Sequence, residues 1–352
     1  MPDDFDYSQP VARNRAAKGS TPFITMALIA LCVVFTAAYF IAPQDDKSNA
    51  LYKVVHLLLR DPDQIWHGSY LGLFTSFFIH LDIMHILFNM LWIWRMGSTL
   101  EQTIAPWKYI LFLVTATMVG SCCELLISGQ TGAGASGAGY ALMGLLWAGR
   151  GFHDSWRRLA TRETLNLFLI WGVFCIFLTI TKIMPVGNGA HFGGLLFGFA
   201  IGHLFFAPRR KPVWAAALVF LFGVCVVSLT WLPWNSSWNW YKGSQAYNRL
   251  RYKDAISYYE AGLRTSNERG SLLHNIALCW ANIANEERMH NHMDAAAAAD
   301  AKFDEVTAEA ERVSPPSQSS EVPSEGSTGS SPEGSPMQSG QDLSPSKSKK
   351  GK

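Results

Sequence analysis

Charged residues are scarce in this chain. Asp, Glu, Lys and Arg make up 16% of its 352 residues, whereas a typical soluble domain carries about 25%. Hydrophobic residues reach 49% and lie in long blocks separated by polar connections. This composition excludes an ordinary soluble globular protein and favours a chain that is embedded in a lipid bilayer.

Cysteine is also scarce. Only six cysteines are present, and five lie inside apolar blocks without the spacing of a metal site or a disulfide scaffold. We interpret them as small buried hydrophobic side chains. We expect neither a metal nor an organic cofactor, and no nucleic acid among the partners.

Seven apolar segments approach the length of about 20 residues that a helix needs to cross a bilayer. They are Thr21–Ala42, Leu73–Trp94, Trp107–Ser128, Gly134–Gly151, Leu165–Met184, Gly189–Ala207 and Val213–Trp234. The first segment has no small-residue cleavage site at its end, so we interpret it as a retained anchor rather than a secretion signal. The sequence thus predicts an all-α polytopic membrane protein with a seven-helix membrane domain over residues 21–234.

Basic residues alternate along the connections between these segments. They are concentrated before the first segment and in the second, fourth and sixth connections: Arg13, Arg15, Lys18, Arg95, Lys108, Arg150, Arg157, Arg158, Arg162, Arg209, Arg210 and Lys211. Because Lys and Arg favour cytoplasmic loops, we expect residues 1–20 to be cytoplasmic and the C-terminal region to lie outside. Segments two, four and six then all run from outside to inside.

These three segments carry polar side chains near their outer ends. His85, Ser136 and His191 lie within a few turns of the start of each segment, which corresponds to similar depths at about 1.5 Å per residue. Polar groups within a membrane are costly and mark functional sites. We therefore predict that the three residues form one site.

Ser136 and His191 have the properties of a nucleophile and its base. A serine hydroxyl becomes reactive when a neighbouring group takes its proton, and histidine titrates near physiological pH. Segments four to six contain no Asp or Glu, since Asp154 and Glu163 lie in the connection between segments four and five. A Ser-His dyad is therefore favoured over a triad. Tyr140, one helical turn after Ser136, is expected to brace the His191 ring by stacking.

An acyl-transfer site also needs hydrogen-bond donors for the developing oxyanion. His85 and Asn89 are four residues apart and share one helix face, and the backbone N–H of Ser136 adds a further donor. Three glycines, Gly194, Gly198 and Gly202, follow His191 at intervals of four. This small-xxx-small spacing predicts close packing of segment six on segment four.

Four motifs, taken together with their spacings along the chain, resemble the rhomboid family of intramembrane serine proteases. They are Gly134-Ala135-Ser136-Gly137 with Tyr140–Gly144, Ala190-His191 with Gly194 and Gly198, His80 with His85 and Asn89, and Gly97 with Glu101. The likeness covers about Ile65 to Ala207. It implies a six-helix bundle, in the six-plus-one form when the seventh helix is counted, and a Ser136 nucleophile with a His191 base. It also implies oxyanion contacts from His85 and Asn89, and cleavage of single-pass membrane proteins near the outer leaflet.

The sequence departs from the pattern of the family at one position. Leu71 stands where many members have an arginine in the first loop, which bears on the stability of that loop rather than on the chemistry.

Segment five carries Trp171, Phe174 and Phe177, which we interpret either as a lateral gate for substrates or as simple lipid-facing bulk.

Other functions fit less well. A zinc protease would need His-Glu-x-x-His, whereas His80 and His85 are five apart with no Glu between them. An aspartyl mechanism would need two Asp residues in helices, and only Asp82 is near one. A transporter would need charged midplane residues or broken helices in paired halves. The remaining alternative is a non-catalytic rhomboid-like protein that binds membrane clients.

The composition changes after Trp240. Gly243, Tyr252, Ala255 and Tyr259 have spacings similar to those of a tetratricopeptide helix pair, and Ala277 follows Gly243 by 34 residues, the period of that repeat. We predict a small helical domain over residues 235–312 that recruits a substrate or a partner protein, with a plain helical hairpin as the alternative. Residues 313–352 are rich in Ser, Pro, Gly and Glu and are predicted to be disordered.

Overall fold

The computed structural model describes residues 21–206, 210–266 and 269–313. The predictions for residues 1–20 and for the tail beyond Val313 therefore lie outside the described residues. Every regular element in the described part of the chain is helical. The expected all-helical class is confirmed, and the multiple long apolar helices support an integral multi-pass membrane protein.

Sixteen α-helices, numbered in chain order, make up the described structure. They are α1 (Phe23–Ile41), α2 (Ala50–Leu58), α3 (Pro62–Trp66), α4 (Gly72–Thr75), α5 (Ile83–Trp92), α6 (Ser98–Glu101), α7 (Pro106–Ser128), α8 (Ser136–Ala148), α9 (Asp154–Leu159), α10 (Arg162–Ile180), α11 (Asn188–Phe206), α12 (Lys211–Thr230), α13 (Ser236–Asn248), α14 (Tyr252–Leu263), α15 (Arg269–Met289) and α16 (Met293–Val313). A π-helical turn, Ile93–Gly97, joins α5 to α6, and a 3₁₀ turn, Ser76–Phe78, follows α4.

Five of the described helices, α1, α7, α10, α11 and α12, are long and apolar enough to cross a membrane. The second predicted segment is broken: Gly72–Phe78 and Ile83–Glu101 meet at an angle of 98°, and only together could they count as a sixth span. The break falls where Asp82 adopts an extended backbone and its carboxylate accepts from the N–H of His85, which starts a new helix. The fourth predicted segment forms α8, whose 13 residues are shorter than a span.

Close backbone packing holds α8 against α11. A Cβ atom on Gly194 or Gly198 would overlap the carbonyl oxygens of Gly137 and Ala141 on α8. A Cβ atom on Gly202 would lie 2.6 Å from that of Ala148. The glycine spacing therefore does what the sequence predicts: it lets the two helices approach at backbone distance.

Glu101 fixes the start of α1 from the end of α6. Its two carboxylate oxygens accept from the backbone N–H groups of Ile24 and Thr25, at 2.9 and 2.8 Å, and one also accepts from the Thr25 hydroxyl at 2.7 Å. The first N–H groups of a helix have no acceptor within the helix, and a negative charge there is favourable. This contact attaches α1 to the rest of the bundle.

The C-terminal helices pack in sequence, α13 on α14, α14 on α15 and α15 on α16. A Cβ atom on Gly243 would lie 2.5 Å from the Tyr259 ring, so a small residue is required where α13 crosses α14. Their core contains Ala255, Ile256 and Ile276.

The first of these helices, α13, also contacts the loop that contains α3. The Trp66 ring packs edge-on against Trp238 with centroids 5.1 Å apart, and the Tyr241 hydroxyl donates to the Trp66 carbonyl at 3.1 Å. The Trp66 indole N–H donates to the Ser228 carbonyl of α12 at 3.0 Å. Trp66 thus joins α3, α12 and α13.

Candidate active site

Ser136 is the first residue of α8 and follows a loop in which two glycines have positive φ values. Gly132 and Gly134 have φ values of 65° and 98°, in the left-handed region that favours glycine. A Cβ atom on Gly134 would also lie 2.7 Å from the His85 ring. The loop is fixed by the Gly134 N–H, which donates to the Ser76 carbonyl at 2.9 Å.

His191, on the first turn of α11, contacts the Ser136 hydroxyl directly. The distance between its Nε2 atom and Ser136 Oγ is 2.9 Å. The His191 ring stacks on Tyr140 with centroids 4.5 Å apart and an interplanar angle of 11°. The Tyr140 hydroxyl in turn donates to the Phe168 carbonyl at 2.8 Å. The ring is therefore held between its hydrogen bond and an aromatic face.

The other ring nitrogen of His191 has no hydrogen-bond partner among the described residues, and the same is true of the Asn89 amide nitrogen. Both atoms are buried. The absence of a carboxylate on His191 Nδ1 fits a two-residue arrangement, and an unpaired amide N–H on Asn89 is a donor available for a further group. The His85 ring lies next to the backbone of Gly134.

A cavity of about 20 Å³ lies beside Ser136. Polar side chains line part of its wall: Ser76, Thr117, Ser121 and Thr131. A volume above roughly 10–15 Å³ with several polar partners is enough to hold a water molecule. The candidate nucleophile therefore borders a small polar space inside an otherwise apolar bundle.

Two residues near this site carry contacts that the sequence reasoning did not assign. His80 is fully buried, and its Nε2 atom accepts from the N–H of Ala135, next to Ser136, at 3.2 Å. Glu124 on α7 accepts from the N–H of Gly189 at 2.8 Å. His80 was visible as part of a motif, and Glu124 was visible as a carboxylate inside an apolar segment, which is costly unless it is paired.

Residues 63–208 match the family model of the Rhomboid domain. This is nearly the range over which the four motifs are found, and it supports the resemblance to the rhomboid family. Three similar proteins are named Rhomboid protease GlpG, from Salmonella paratyphi A (strain ATCC 9150 / SARB42), Salmonella choleraesuis (strain SC-B67) and Salmonella newport (strain SL254). Each is 35% identical over 139 residues, which is 39% of this chain and 49% of the relative.

The chain spans about half the length of the curated relatives it matches. The family match ends at residue 208, so α12 and the helices α13 to α16 lie outside it. Neither the six-plus-one form nor the tetratricopeptide likeness is tested by these similarities, and both stay predictions.

Proposed function

We propose that this protein is an intramembrane serine endopeptidase that cleaves transmembrane segments of membrane proteins. Ser136 is the nucleophile and His191 is the general base. The observation that carries the proposal is the 2.9 Å contact between Ser136 Oγ and His191 Nε2 in a partly buried setting, within a domain similar to rhomboid proteases.

In the first half of the reaction, Ser136 Oγ attacks the scissile carbonyl carbon while its proton passes to His191 Nε2. The tetrahedral oxyanion accepts hydrogen bonds from the Asn89 amide, the His85 ring and the backbone N–H of Ser136. The proton on His191 then passes to the leaving amine, the C–N bond breaks, and an acyl-enzyme remains on Ser136.

In the second half, His191 takes a proton from a water molecule as the water oxygen attacks the acyl carbon. The bond between Ser136 Oγ and that carbon then breaks, His191 returns the proton to Ser136 Oγ, and the new carboxyl end of the product leaves. The polar cavity beside Ser136 provides a place for that water within the bundle. Because the basic residues suggest a cytoplasmic N-terminus, we propose that the site opens towards the outer face. The partners are then single-pass membrane proteins, supplied from the lipid bilayer.

The substrate is proposed to enter past α10. Trp171, Phe174 and Phe177 on this helix are 46%, 44% and 54% exposed. Only 17% of the most apolar stretch of α10 is buried. The buried share is the same in α1 and α12, so the proposal of a lateral gate rests on the three large aromatic side chains of α10.

The test uses purified full-length protein in proteoliposomes with a model single-pass substrate, beside Ser136→Ala. We expect product from the wild type and none from the variant. Equal product from both would overturn the proposal. Substrate that co-purifies with the wild type but is never cut would instead support the alternative, a non-catalytic client-binding protein.

We further propose that residues 235–312 form a tetratricopeptide-like domain on the outer side that recruits substrates or a partner protein. The packing of Gly243 against Tyr259 supports this assignment, because both residues belong to the spacing that resembles the repeat and they meet where α13 crosses α14. Ending the chain after Trp234 should lower the cleavage rate of some substrates more than others. An equal effect on every substrate would contradict a recruiting role.

A further inference from the structure

Glu124 is a buried carboxylate in the last turns of α7. It is 5% exposed and lies on α7, one of the most apolar helices of the chain. None of the ion pairs in the described part of the chain involves it. A buried carboxylate is tolerated only when its oxygens are well hydrogen-bonded, so its partners indicate its role.

Its partner within α7 is the Ser128 side chain, and its partners on another helix are two of the first backbone N–H groups of α11. Glu124 Oε2 accepts from Gly189 N–H at 2.8 Å and from Ala190 N–H at 3.4 Å. These groups belong to the helix turn that lacks internal acceptors, where a negative charge is also favourable. The next residue is His191, whose own N–H begins the internal ladder by donating to the Gly187 carbonyl at 3.1 Å.

The start of α11 is also confined on its other sides. A Cβ atom on Gly189 would lie 2.6 Å from the Cys123 carbonyl of α7. Cβ atoms on Gly120 and Gly137 would lie 3.3 and 3.2 Å from the Ala190 carbonyl. Together with these backbone contacts, the hydrogen bonds from Glu124 fix where α11 begins. They therefore also fix where the His191 ring lies.

We propose that Glu124 is a positioning residue: from α7 it caps α11 and holds His191 in register with Ser136. It does not touch the reacting atoms and acts through the backbone of residues 189 and 190. This inference rests on the proposed function of the Ser136–His191 pair. The Glu124 carboxylate thus bonds to the backbone at the start of α11 and not to the His191 imidazole.

The experiment compares Glu124→Met, which keeps the volume and removes both acceptors, with Glu124→Gln, which keeps an amide oxygen that can accept from Gly189 N–H. Thr115→Ala is the matched control, since the Thr115 hydroxyl bonds only to carbonyls of its own helix. In proteoliposomes we expect Glu124→Met to lower kcat by about 10–100-fold with little change in KM, because small misplacements of a catalytic group are costly. Glu124→Gln should stay within about threefold of the wild type, since an acceptor remains.

A second measurement does not depend on activity. Hydrogen exchange of peptides covering residues 187–192 should be faster in Glu124→Met than in the wild type, and unchanged in Glu124→Gln and Thr115→Ala. Equal activity of Glu124→Met and the wild type, or unchanged exchange in Glu124→Met, would overturn the inference. So would an equal fall in both Glu124 variants. If the wild type cleaves nothing, the proposed function fails, while the exchange data still decide whether Glu124 caps α11.

Discussion

The two flanks of the membrane bundle are built differently. On one flank α11 lies against α7 and α8, and half of its most apolar stretch is buried. On the other, 17% of the corresponding stretch of α10 is buried, and large side chains such as Ile170 and Phe177 are 69% and 54% exposed. Ser136 and His191 both lie on the tightly packed flank.

The two flanks suit two different tasks: holding the catalytic pair at a fixed distance and admitting a substrate helix. Proton transfer between a serine and a histidine needs a fixed distance of about 2.6–3.2 Å, which packed backbones provide. Entry of a substrate helix needs a boundary that opens. Two hydrogen bonds join the flanks: the Tyr140 hydroxyl of α8 donates to the Phe168 carbonyl of α10, close to the His191 ring, and the Asn188 amide of α11 donates to the Thr179 hydroxyl of α10 at 2.8 Å.

The largest effect is expected from breaking the packed flank. Gly198→Val would place a side chain against the Ala141 carbonyl, and since overpacking a tight interface costs about 1–3 kcal/mol or more, α11 should separate from α8. We expect the variant to lose activity and to show a clearly lower thermal midpoint. Gly223→Val on α12, where a Cβ atom meets nothing within 4 Å, is the matched control and should behave as the wild type. Similar losses in both variants would mean that the close contact between α11 and α8 is not what the Gly198 substitution disturbs.

Much of this packed flank could be predicted from the sequence, because its determinants are local. The spacing of Gly194, Gly198 and Gly202 predicts a helix contact, and Ser136 and His191 stand at matched depths. Glu124 could not be assigned in this way, since its acceptor role depends on α11, 65 residues further along the chain. The helix start at Ile83 was also missed, although Asp82 three residues before His85 is a recognisable N-cap signal.

The next effect concerns the oxyanion donors. Asn89→Leu removes a buried amide whose nitrogen has no partner among the described residues. If that N–H serves the transition state, kcat should fall by about 10²–10³-fold while the thermal midpoint changes little, because no hydrogen bond seen in the structure is lost. Single-turnover cleavage measured beside thermal unfolding checks this. A fall in stability without a fall in kcat would assign Asn89 to packing instead.

A smaller effect, of opposite sign, is expected on the loosely packed flank. Trp171→Ala removes an exposed ring that stacks near Phe88 of α5, with centroids 5.9 Å apart. Because aromatic pairs contribute about 0.5–1.5 kcal/mol, its loss should ease separation of α5 and α10 and raise the cleavage rate by a few-fold in proteoliposomes. Ile170→Ala, which changes a neighbouring side chain that is 69% exposed, provides the control. Equal rates in both variants would favour lipid-facing bulk over a gate.

The smallest effect tests whether the packed flank extends into the C-terminal helices. The Tyr241 hydroxyl donates to the Trp66 carbonyl, and burial raises the pKa of this hydroxyl, so it stays protonated. Tyr241→Phe removes that bond, which is worth about 0.5–1.5 kcal/mol. Tyr247→Phe is a close match, since its hydroxyl accepts from Asn282 within the C-terminal helices at 3.1 Å.

Both variants should unfold at slightly lower temperature. Only Tyr241→Phe should increase hydrogen exchange in the loop of residues 61–72, because the Tyr241 hydroxyl bonds to that loop and the Tyr247 hydroxyl does not. This loop is also where Leu71 replaces the arginine of many rhomboid proteins, so a brace from α13 would compensate for a contact that the loop lacks. Identical exchange in the two variants would mean that Trp66 is held by α12 and Trp238 alone, and that the packed flank ends at the membrane domain.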